Sequence, residues 1–213
     1  MSPPVRRPIP RFIADASAEG LPYGRWAQLL RDEFAKACEP YVSEAGGPPG
    51  EVTWFPERGW GGRVYVPAVA PVEGAATPSE YFGFVSFTRP AEDEEGEAGG
   101  FRATADFTDV IAEDNPDWLI DLNEEVIGPW RGEGDRRGDV TLVWGTPLVR
   151  GARAATAELE GEVVDQTPVG DERFTLIAVD AVKGFPDELY LQVKLWSAQG
   201  QELAAESLYD ETE

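Results

Sequence analysis

The segment Asn115–Trp130, NPDWLIDLNEEVIGPW, carries a start signal and a stop signal of helix type inside a chain whose other stretches read mostly as strands. Asn115 suits an N-cap, Pro116 the first helical position and Asp117 the positive end of the helix dipole. Gly128 and Pro129 supply the stop, one by tolerating left-handed backbone and the other by interrupting the hydrogen-bond ladder. Between these signals Trp118, Leu119, Leu122 and Val126 share one helical stripe, with Asp121, Glu124 and Glu125 opposite. The pattern predicts an amphipathic helix lying on a sheet.

Residues 1–21 hold a Pro-rich stretch without periodicity and read as an extended arm. From Pro22 to Pro40, the residues Trp26, Leu29, Leu30, Phe34, Ala37 and Cys38 recur at helical spacing, a stripe that Tyr41 continues, and they predict a first amphipathic helix. Strands are expected over Glu51–Phe55, Arg63–Ala70, Glu80–Thr88 and Phe101–Asp109, then over Asp139–Trp144, Ala154–Asp165, Arg173–Val182 and Glu188–Trp196. Alternation is cleanest in Phe101–Asp109, where Phe101, Ala103, Ala105 and Phe107 point one way and Arg102, Thr104, Asp106 and Thr108 the other.

The expected class is α+β, predominantly antiparallel sheet with two main amphipathic helices. The order also repeats: Trp26 stands to Trp118 as Phe82 stands to Phe174, at equal separation, and EVTW at Glu51 has a counterpart in DVTL at Asp139. Two readings fit, a tandem duplication of a helix-plus-four-strand unit (22–112 and 113–213) or one unrepeated sheet carrying both helices. The element order alone is similar to that of tandem secretion-chaperone modules, double hotdog folds and cystatin-like curved sheets, and no stretch carries a family motif.

Forty acidic residues against eighteen basic ones give a formal charge of −22. Such a surface repels nucleic acid and anionic membranes and favours a basic protein or peptide, although solubility in salt is an equal explanation of the acidity. A homodimer is compatible with the same features. A single Cys rules out an internal disulfide, and with no apolar run after the basic N-terminal residues the chain reads as cytoplasmic.

The sequence contains no histidine, which removes Ser-His-Asp and Cys-His catalysis and every His-based metal site. Cys38 falls on an apolar helical stripe and reads as a structural thiol. With no phosphate-binding Gly-rich loop, no cofactor and no metal site is expected. Carboxylates remain: Asp106, Asp109, Glu113, Asp114 and Asp117 crowd the end of one strand and the start of the second helix. Strand polarity and the helix N-terminus account for most of them.

Candidate binding residues are the aromatics Trp54, Phe55, Trp60 and Trp130, with Trp60 between glycines at an expected hairpin tip, and the acidic run Glu92, Asp93, Glu94 and Glu95. Two functions follow. The first is a non-catalytic acidic protein-binding module of chaperone, immunity or adaptor type that recognises a cationic partner. The second is a carboxylate-dependent hydrolase of hotdog-thioesterase type, with Asp121 or Glu125 as the helix-borne acid.

Overall fold

The computed structural model describes residues 26–89, 98–131, 137–159, 161–179 and 191–208. They form mostly antiparallel sheet and fall into two compact units that divide between Glu124 and Glu125, whereas the sequence places the boundary between 112 and 113. The Pro-rich arm 1–21 and the run Glu92–Glu95 lie outside the described residues.

The first unit is built on helix α1 (Ala27–Cys38). Leu30, Phe34 and Cys38 recur every four residues, so they stack on one face, and all three are buried. Leu29, one position off that line, is exposed. Pro40 does not end the helical path, because it occupies the first turn of a 3-10 segment (Glu39–Tyr41), where its missing N–H leaves no bond unmade. The path continues through α2 (Val42–Ala45) and stops at Gly46, whose φ of 89° lets its N–H reach the Val42 carbonyl at 3.1 Å.

Beneath α1 lies an antiparallel sheet of β1 (Thr53–Trp54), β3 (Arg63–Pro71), β4 (Glu80–Thr88) and β5 (Gly99–Thr108), in that order, with β2 (Arg58–Trp60) also on β3. The helix packs on β4 and β5. The alternation read in β5 is present: Phe101, Ala103, Ala105 and Phe107 meet the core that holds Leu30, Phe34 and Phe87, while Arg102, Thr104 and Asp106 are exposed. At Gly83 of β4 a Cβ would stand 2.0 Å from the Thr104 carbonyl oxygen, so the β4–β5 approach admits no side chain there.

The helix expected over Asn115–Trp130 is a strand. Ala112–Asp114 forms a 3-10 turn, and β6 (Ile120–Arg131) carries the chain from the first unit into the second. Asn115 does not cap a helix: its side-chain Nδ2 donates to the Ile111 carbonyl at 2.8 Å and closes the turn behind it. The anticipated stripe is not buried either, with Leu119 at 40% and Val126 at 47% exposure. Ile120, Val126 and Ile127 are β-branched, and pairing with β7 (Arg137–Pro147) offers β6 a ladder that outweighs the local helix signals. Pro129 is tolerated because β6 stands at the end of its sheet. Among the described residues there is thus one helical stretch, not two.

The second unit has no helix among its described residues. Strand β7 lies between β6 and β10 (Phe174–Val179), and a four-stranded sheet runs β12 (Glu202–Ser207), β11 (Leu191–Ser197), β8 (Ala152–Leu159), β9 (Glu162–Pro168). The single strand expected over Ala154–Asp165 is the β8–β9 hairpin. Strand β10 also meets β8 and β9, and the Asp165 carboxylate accepts the Ile177 N–H at 2.8 Å, which caps a free position on the β10 edge. The two units are not copies. In the first, β3, β4 and β5 pair in sequence; in the second, β7 pairs with β10 and β8 with β11, an order that no loop-length change converts into the other.

Candidate functional site

One end of the first sheet gathers carboxylates that sequence order keeps apart. Glu80 opens β4 and pairs across to Thr108, the last residue of β5. The chain then leaves β5 through Asp109–Asp117 and returns as β6, with Ile120 buried and Asp121 next to it. Local bonds hold this excursion: Thr108 Oγ1 accepts the Val110 N–H at 3.0 Å, and Asp106 Oδ1 accepts the Phe107 N–H at 2.8 Å. Ile111, buried, anchors the middle.

No basic residue occurs between Arg102 and Arg131, a span that holds Asp106, Asp109, Glu113, Asp114, Asp117, Asp121, Glu124 and Glu125. The consequence appears in Glu80. Its carboxyl is raised from 4.5 to about 7, first by burial and then by the negative charges of Asp121 and Glu113. Asp121 is also raised, by burial. Like charges that are half-buried together store electrostatic free energy, which a proton or an external cation relieves. In the same segment of chain, Val110 at 56% and Leu119 at 40% are among the most exposed large apolar side chains. The excursion between β5 and β6 therefore carries exposed apolar side chains as well as acids. Among the described residues no group of three His, Cys, Asp or Glu side chains is placed to hold a metal ion.

Other sequence candidates land elsewhere. Trp54 and Phe55 are core side chains, not surface anchors: Trp54 meets Phe34 edge-on at 6.0 Å between ring centroids, and both aromatics are buried. Trp60 is half-buried beside the Gly61–Gly62 turn of the β2–β3 hairpin, and Trp130 is half-buried on β6. Asp121 and Glu125 both lie on β6, so neither is helix-borne. Cys38 is wholly buried and its thiol is pushed up to about 12 by that burial, the state of an inert structural thiol. Glu80 was missed, because it stands alone at a strand start and only the β4–β5 register brings it to the acids around Asp121. No described helix is long and apolar enough to cross a membrane. Comparisons with protein-family models, curated proteins and solved structures find no match.

Proposed function

We propose that this protein is a non-catalytic binding module that recognises a cationic, partly apolar segment of a protein partner at the acidic end of its first sheet. The observation that supports this reading is the Glu80 carboxyl, held near neutrality by burial and by Asp121 and Glu113 with no basic residue in the neighbouring span 103–130. A Lys or Arg side chain placed there would lower the carboxyl, discharge a proton and gain a charge-assisted hydrogen bond, while its neighbours cover Val110 and Leu119.

The test is titration with a synthetic peptide of alternating Lys and Leu. Affinity should fall steeply between 0.1 M and 1 M salt, over which the Debye length contracts from about 10 Å to about 3 Å. The variant Glu80→Gln/Glu113→Gln/Asp121→Asn should lose most of that affinity. Binding that ignores both salt and the triple substitution would refute the assignment.

A second reading draws on the same residue, since a carboxylate near neutrality is what general acid–base catalysis requires. In that case wild-type protein would hydrolyse a p-nitrophenyl ester and Glu80→Gln would not; equal background rates for the two proteins would dispose of it.

A further inference from the structure

A different feature lies in the second unit, where the β7–β8 connection and the β9–β10 turn enclose an open cavity of about 400 Å³. That volume is in the range of small-molecule sites. The two segments are tied together by the Val169 N–H bonding to the Arg153 carbonyl at 2.9 Å. Leu148, Val149 and Val169 give the cavity an apolar wall, and its charged side chains are Arg150, Arg153, Asp171 and Glu172. None of these four makes an ion pair with another described residue, although opposite charges line one cavity. In a chain of charge −22, these two arginines have no carboxylate partner among the described residues.

The turn supplies an independent sign. Gly170 and Arg173 exchange backbone bonds at 3.0 and 2.9 Å across a two-residue turn, and Asp171 and Glu172 both stand in the left-handed region, with φ of 47° and 59°. Such a turn suits Asn-Gly; two carboxylate residues hold it at a cost in backbone free energy. Strain of this kind is found where side chains are being presented to a ligand. Here it sets two anionic groups on the cavity that also carries two cationic ones.

We infer that this cavity binds a small zwitterion with an apolar body, an α-amino acid or short peptide, whose carboxylate meets Arg150 and Arg153 and whose ammonium meets Asp171 and Glu172. The apolar side chain lies on Leu148, Val149 and Val169. A guanidinium pair is well suited to a carboxylate, and a cavity lined by both cationic and anionic side chains suits a zwitterion better than a simple anion or a simple cation.

The experiment is a heteronuclear NMR titration of the full chain with leucine, leucyl-leucine, N-acetyl-leucine and leucinamide. Leucine or leucyl-leucine should shift amides of residues 147–153 and 169–172 saturably, and which of the two binds tighter identifies amino acid or peptide. N-acetyl-leucine, lacking the ammonium, and leucinamide, lacking the carboxylate, should each bind at least ten-fold more weakly. Asp171→Asn/Glu172→Gly relieves the turn while deleting both carboxylates, so it should raise the unfolding temperature and abolish the shifts; Arg150→Ala/Arg153→Ala should abolish them at unchanged fold. No saturable shift with any probe, or equal affinity for leucine and both blocked analogues, would overturn the assignment.

Discussion

In the first unit α1 covers one face of the sheet, and β5 shows the result: apolar side chains meet the helix while Arg102, Thr104 and Asp106 meet water. In the second unit β7 and β10 have no wet face, since Val140, Thr141, Leu142, Val143 and Trp144 are all buried, and so are Phe174, Thr175 and Leu176. The four-stranded sheet goes further and buries charge. Lys194 Nζ lies 2.6 Å from Glu158 Oε2, with both side chains less than 10% exposed, and Trp196 Nε1 donates to Thr156 Oγ1 at 2.8 Å on the same face. One unit is stabilised by hydrocarbon beneath a helix, and the other encloses a polar row as well. The contrast matters because a buried ion pair adds specificity more readily than net stability.

The largest expected effects test the contrast directly. Phe34→Ala, in the apolar core of the first unit, should cost about 3–5 kcal/mol as measured by urea unfolding. Lys194→Ala should cost about as much, because it leaves the buried Glu158 carboxylate without its cation and with only the Thr156 hydroxyl donating to it, at 3.4 Å. The two sites then diverge: Glu158→Leu combined with Lys194→Met should recover most of the loss, whereas no partner substitution rescues Phe34→Ala. If Lys194→Ala costs less than about 1 kcal/mol, the polar row is wetter than the fold implies.

A pH effect of intermediate size distinguishes the units next. Glu80 in the folded protein binds its proton up to about pH 7, but an unfolded Glu does so only to about 4.5. The folded state therefore holds more protons between those values, and stability must fall as pH rises through that window. At about 1.4 kcal/mol per pH unit the fall is at most about 3.5 kcal/mol, less whatever water screens. Glu80→Gln should flatten it. A first-unit probe whose unfolding is unchanged from pH 4 to pH 8 would show that Glu80 is not strained.

The smallest effect concerns the aromatics. Trp118 is half-buried in the turn before β6, and Trp26 is half-buried with its ring centroid 5.8 Å from that of Phe87. Replacing Trp118 by Ala should cost only about 1 kcal/mol, well below a core aromatic. A loss near that of Phe34→Ala would mean that the segment packs as a helix after all.

What was legible in the sequence follows from the same contrast. The stripe Leu30, Phe34, Cys38 and the alternation of β5 each have one wet and one dry face, and a periodic pattern is the trace such an arrangement leaves. Strands β7 and β10, dry on both sides, leave only an apolar run, so their pairing with each other was invisible. Asn115–Pro129 was misread for a different reason. Asn, Pro and Gly signal a turn as well as a cap, and edge-strand pairing decided between them. The acidic site was half visible: the crowd from Asp106 to Asp117 could be read, but Glu80 reaches it only through the register of β4 on β5.

The most direct test of the binding role is the proton count on association. With its carboxyl raised to about 7, Glu80 carries part of its proton at neutral pH. Engagement of a cation should therefore release a fraction of a proton per complex. Calorimetric titration of the Lys-Leu peptide in buffers of different ionisation enthalpy should therefore give binding enthalpies that depend linearly on the buffer, with a slope that disappears in Glu80→Gln. Binding whose enthalpy is the same in every buffer, or a slope that survives Glu80→Gln, would contradict the assignment of this site.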